Sequence, residues 1–227
     1  MKTPIKLFFT AAVLYVLSSC TTNIPLNPEF KEDTDKTVGI AMVEYPQVAA
    51  HKYGGTGVID ILVNEALAVP LQQYLNSFDI SGFNQVKNNM QEVIETMGMD
   101  TVKIDETINI EELPEIDGTN DTDYSGIREK YDVDYLLLIS LKKIGTVRKY
   151  MMGIIPQGSP DAICQASGCL INLDTNEIYW EYSMNEKESV IEPDRPWNTP
   201  PDYTNLGIAL NRAIKNSIAR LETVLAE

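Results

Sequence analysis

Hydrophobic and polar positions follow several different periods along this chain, and the changes of period divide it into elements. Leu7 to Val16 is continuously apolar after Lys2 and Lys6. Thr21 to Lys36 is polar, carries two prolines and sustains no period, which predicts a flexible tether. Thr37 to Tyr45 (TVGIAMVEY) is short, apolar and partly β-branched between Asp35 and Pro46, which predicts a first strand. Pro46 to Gly57 holds His51, the only histidine, and Gly54-Gly55-Thr56-Gly57; it reads as a mobile connector. Val58, Ile59, Ile61, Leu62, Ala66, Val69 and Leu71 then predict a buried helix running towards Tyr74, kinked or restarted at Pro70. Phe83, Val86, Met90, Val93, Ile94 and Met97 recur at helical spacing, with Asp79 or Ser81 as cap and Gly98 as stop.

Thr101 to Ile104 predicts a short strand, followed by an acid-rich stretch to Asp123 and a short helix over Tyr124 to Tyr131. Tyr135-Leu136-Leu137-Leu138-Ile139 is apolar without alternation, so both faces of that strand should be covered. A basic extension reaches Tyr150. Pro156, Gly158 and Pro160 then predict a turn, and Ala162 to Leu173 a return strand. After Asp174-Thr175-Asn176 a last strand begins at Ile178, with Ile178, Trp180, Tyr182 and Met184 on one face and Tyr179, Glu181 and Ser183 on the other. Leu206, Leu210, Ile214, Ile218, Leu221 and Val224 or Leu225 stripe a final helix, with Asp202 as its cap. The fold class is α+β: a mixed, mostly antiparallel sheet with helices packed on it, in one domain over residues 37 to 227.

The apolar run at the start is about half of the roughly 20 residues that a membrane span requires. With its basic start and the sequence Leu17-Ser18-Ser19-Cys20 it has the anatomy of a bacterial lipoprotein signal, residues 1 to 19, with Cys20 as the first mature residue and the site of lipid attachment. Thr21 stands where Asp would mark inner-membrane retention. By resemblance to that sorting rule, the protein belongs on the outer membrane, facing the periplasm. Loss of residues 1 to 19 removes two lysines and no acid, taking the formal charge from -15 to about -17. Nucleic-acid binding, which needs clustered cations, is thereby disfavoured.

Candidate chemistry is sparse. Cys164 and Cys169 form an even pair in an oxidising compartment. In one straight strand they would point to opposite faces, whereas a bulge or turn at Ser167-Gly168 would allow a disulfide; two small buried residues are the alternative. The Gly54 to Gly57 cluster lacks the lysine ending of a phosphate loop. Asp117 to Asp123 lacks the alternation and terminal Glu of a calcium loop and reads as solvated. Neither His51 nor the pair Glu111 and Glu112 has partners that would make an active site. No enzyme, cofactor or metal is expected.

The phrase YDVDYLLLISL, a hairpin and then CLINLDTNEIYWEYSM resembles the periplasmic lipoproteins of the CsgG, PelC and TolB-N-terminal-like group. Asp134, Tyr135, Asp174 and Trp180 fall on that group's pattern, and Asn176 stands near its turn glycine, since Asn tolerates a left-handed backbone. The resemblance implies a lipid-anchored module that forms homo-oligomers and serves export or envelope machinery. The hairpin's first arm carries Lys142, Lys143, Arg148 and Lys149, unlike a lipid-facing barrel strand, so no pore is expected. Its apolar tip, Met151, Met152, Ile154 and Ile155, is either a partner contact or folds back onto the core. The expected partners are the membrane through the lipid, further copies of the chain and unidentified envelope proteins. A partner subunit of an ABC-type lipid transporter is the alternative function.

Overall fold

A computed structural model describes residues 23–53, 68–116, 119, 121–151, 155–189 and 203–227. Ten elements follow in order: β1 (Thr37–Val43), β2 (Ala49–Tyr53), α1 (Ala68–Asn76), α2 (Gln85–Thr96), β3 (Asp100–Ile108), α3 (Ser125–Tyr131), β4 (Tyr135–Met151), β5 (Ile155–Asn172), β6 (Ile178–Ser189) and α4 (Thr204–Ala226). The strands form one sheet in the order β3-β1-β4-β5-β6, with β2 also on β4. Pairing is parallel for β1–β3, β1–β4 and β2–β4, and antiparallel in the longer ladders β4–β5 and β5–β6. The expected mixed sheet with packed helices is present.

The unbroken apolar run of β4 is explained by a core on each side of the sheet. Tyr135, Leu137, Ile139 and Leu141 face the larger core, where α2 adds Val86, Met90 and Ile94. Leu136 and Leu138 face a smaller one with Ala41, Ile104, Ile127 and Ile171. Helix α4 covers the larger core with Leu206, Leu210, Ile214, Ile218, Leu221 and Leu225, all buried. Helix α1, described from Ala68, contains Pro70. The predicted start of that helix, Val58, Ile59, Ile61, Leu62 and Ala66, and the predicted cap Asp202 lie outside the described residues. Neither Asp79 nor Ser81 caps α2, whose N-cap is Asn84 without a side-chain hydrogen bond; Asp79 Oδ1 instead accepts from the amide of Ser81 at 2.8 Å, ahead of the 3-10 turn Ser81–Asn84 that leads into α2.

Several expectations change. Residues 49–53, predicted as connector, form β2, a parallel neighbour of the outer half of β4 that places His51 beside Val147. The predicted tether ends early: Ile24 exchanges backbone hydrogen bonds with Glu181 at 2.8 and 3.0 Å. Phe30 is fully buried, its ring edge-on to Tyr135 at 5.1 Å. The segment from Asn23 onward is therefore packed on the sheet. Pro156, Gly158 and Pro160 lie within β5 and do not form the turn between strands. Arg148 faces a bulge between Gln157 and Asp161 and donates from Nε to the carbonyl of Gly158 at 2.8 Å.

A second bulge shifts the register of β6. Leu170 pairs with Trp180 and Ile171 with Ile178, so Tyr179 is the extra residue. Tyr179 and Trp180 both enter the larger core, whereas Ile178 is 44% exposed, against the simple alternation expected there.

Candidate functional site

The residues that carry the family resemblance gather at one end of the sheet. Asp134 precedes β4; its Oδ2 accepts from the amide of Thr37 at 3.1 Å, and its Oδ1 lies 3.4 Å from Arg128 Nη2 and 3.5 Å from Lys36 Nζ. Arg128 also pairs with Asp174 in the β5–β6 turn. One guanidinium thus joins the start of β4 to the end of β5. The Asp134 carbonyl accepts from Leu173 N at 3.0 Å, closing the same join through the backbone.

Tyr135 lies between Phe30 and Tyr179, with ring centroids at 5.1 and 5.5 Å, and its hydroxyl donates to Asp33 Oδ2 at 2.6 Å. Burial, then the Asp33 carboxylate, pushes the phenol well above its ordinary range. Trp180 is 1% exposed and lies over Gly168, where a Cβ would strike its ring. Asn176 has φ 58°; its Oδ1 accepts from Tyr124 N and its Nδ2 donates to Asp123, both at 3.0 Å. Every polar group in this cluster is spent on another part of the same domain. The arrangement fastens a fold and offers no nucleophile with a base beside it.

The cysteines do not form the disulfide weighed from the sequence. Both are free. Between them β5 keeps an unbroken register with β6, from Cys164 opposite Glu186 to Cys169 opposite Glu181. Ser167-Gly168 makes no turn, and five residues of strand separate the thiols by about 17 Å. Cys164 faces the larger core and Cys169 packs on the smaller. Burial pushes Cys164 up to about 11 despite the hydroxyl of Ser217 beside it. Burial and the Glu181 carboxylate push Cys169 up to about 12.

The opposite end is an arm built from β2 and the outer halves of β4, β5 and β6. Its strands pair out to Met151 and Ile155. Met152 and Ile154 of the predicted tip lie outside the described residues. On the face away from α4, Ser140, Ser167 and Ser183 form a row across β4, β5 and β6, and Lys143, Gln165 and Asn185 form the next. The row beyond is Gly145, Ile163 and Lys187. Gly145 has φ 139°, and a Cβ there would strike the carbonyl of Ala49, so β2 can lie against β4 only at a glycine. Lys142, Lys149 and Lys187 are exposed. These rows were missed from the sequence, although the alternation of Ala162, Cys164 and Ala166 with Ile163, Gln165 and Ser167 carried the signal.

A shallow groove of about 400 Å³ between α2 and α4 is lined by Gln85, Asn89, Asn211, Lys215 and Glu222 around Ile214 and Ile218. Among the described residues, no group of His, Cys, Asp and Glu is placed to hold a metal ion, and no helix is long and apolar enough to cross a membrane.

No family model and no curated protein matches the chain. Solved structures do resemble it. A PelC dodecamer from Paraburkholderia phytofirmans is 9% identical, covers 91% of this chain and 94% of that one, with a TM-score of 0.37. A Xanthomonas campestris protein is 10% identical over 91% and 93%, with a TM-score of 0.40. The lipoprotein GNA1162 from Neisseria meningitidis is 11% identical over 82% and 99%, with a TM-score of 0.34. At such identities and scores these likenesses assign no role to this chain.

Proposed function

We propose that the protein is a non-enzymatic scaffold or assembly factor of the bacterial envelope, anchored by lipid on Cys20 to the periplasmic side of the outer membrane and working as a homo-oligomer. One observation carries the reading. Residues 1 to 19 have the anatomy of a lipoprotein signal before Cys20, and at Asn23 the chain is already paired to the domain, Ser183 N donating to Asn23 Oδ1 at 3.1 Å. A domain fastened so closely to its lipid works at the membrane.

The cluster of Asp134, Tyr135, Arg128 and Asp174 supports a structural use of the residues that resemble the CsgG, PelC and TolB-N-terminal-like group. Self-association then falls to the arm, with Met151, Met152, Ile154 and Ile155 as its apolar tip. Light scattering on the detergent-extracted protein and on a Cys20→Ala form tests this reading. A defined oligomer in both is expected. A strict monomer in both would refute self-association and favour a transporter-partner role.

A further inference from the structure

We propose that helix α4 pairs antiparallel with α4 of a second copy across a two-fold axis at Ile218 and Ala219, closing the groove between α2 and α4. This rests on the self-association proposed above and adds to the arm a second, separate contact. The first support is an open face with an apolar floor. At about 3.6 residues per turn, Ile208, Asn211, Lys215, Ala219, Glu222 and Ala226 follow one line along the outside of α4. Ile208 is 39% exposed, and Asn211, Lys215, Ala219 and Ala226 are exposed as well. Ile214 and Ile218 form the floor of the groove beside that line. Gly82 on one wall and Ala219 on the other leave room for a second helix to approach closely.

The second support is the charge on that line. Two of the cations of α4 turn towards β6. Arg212 lies 3.7 Å from Glu188, and Arg220 Nε donates to the hydroxyl of Tyr182 at 3.1 Å. Lys215 stands at the groove and meets no acid among the described residues. Glu222 lies two turns further on and is held by α2: its Oε1 accepts from Asn89 Nδ2, and Asn89 Oδ1 accepts from Gln85 at 2.9 Å. Its other oxygen meets no cation among the described residues. The line therefore presents one positioned carboxylate and one ammonium, about 10 Å apart along the axis.

The third support is symmetry. In an isologous pair, residue i of one copy lies opposite residue j of the other, and j opposite i. An antiparallel pair centred between Ile218 and Ala219 sets Lys215 opposite Glu222 of the second copy and Glu222 opposite Lys215 of the second copy. One surface is then its own complement. A parallel pair in register would set Lys215 against Lys215 and Glu222 against Glu222, so charge selects the antiparallel arrangement. Covering the isoleucine floor supplies the attraction, and the two ion pairs fix the register.

The experiment uses the Cys20→Ala form with Ala219→Cys, crosslinked by a short bismaleimide, and Glu129→Cys on the exposed side of α3 as control. A covalent dimer is expected from A219C at about ten times the yield from E129C. Adding either Lys215→Glu or Glu222→Lys to A219C should cut that yield about tenfold. Mixing these two variants should restore it, because each then meets the opposite charge at both symmetric contacts. A yield no higher than that of E129C, a yield that neither charge variant lowers, or no recovery on mixing would overturn the proposal. Light scattering on the same samples separates the two readings. A strict monomer refutes self-association and this pairing together, whereas an oligomer without the A219C crosslink refutes this pairing alone.

Discussion

The two ends of the sheet use polar residues in opposite ways. At the motif end, Asp134, Arg128, Asp174, Asn176 and Asp33 each meet another element of the same chain, and aromatic rings fill the space behind them. In the arm, lysines, serines and amides are laid out in rows along long strands with no helix on that face among the described residues. At the motif end these polar groups fasten the fold, whereas the arm mixes exposed Lys142, Lys149 and Lys187 with a buried Ser167 and a buried Ser183 hydroxyl. The motif end holds the domain together, and the arm is the region proposed to make contacts.

The comparison breaks most visibly at Trp180. Trp180→Ala empties the space over Gly168 and should cost about 3–5 kcal/mol in urea unfolding. Asp134→Ala removes the acceptor for Thr37 N and leaves Arg128 and Lys36 with one carboxylate fewer. A loss of about 1–2 kcal/mol is expected, since these side chains are partly exposed. A smaller effect comes from the thiols. With both raised above their ordinary values, they stay protonated in the folded state at neutral pH. The stability that this protonation supplies is present below the unfolded thiol pKa and is lost as pH rises towards about 11. An aromatic disulfide reagent near pH 8 should therefore leave both unmodified until the protein unfolds. Last, Lys143→Glu should shift unfolding by less than about 0.5 kcal/mol while weakening contacts of the arm. A large loss of stability there would erase the distinction between the ends.

Much of the fold was legible because several elements announce themselves locally. The stripe from Leu206 to Leu225 and the unbroken run at Leu136 to Ile139 need only helical period and two-sided burial to be read. What was hidden depends on tertiary pairing. Strand β2 has no apolar alternation and exists because Gly145 lets its backbone approach β4. The segment after Asn23 is polar except for Phe30 and a few neighbours, and it is ordered by the edge of β6. The bulge at Tyr179 likewise follows from a register that no single strand encodes. Of the candidate site, the motif residues were visible but their inward, fastening role was not, because it is made by Arg128 from another element.

Hydrogen exchange tests the division between the two ends most directly, comparing the lipidated, membrane-bound protein with the Cys20→Ala form. The account predicts added protection in residues 142–151, 155–165 and 183–189, with exchange unchanged at 128–136 and 170–180. Added protection centred on the Asp134, Tyr135 and Asp174 end, with the arm unchanged, would contradict it.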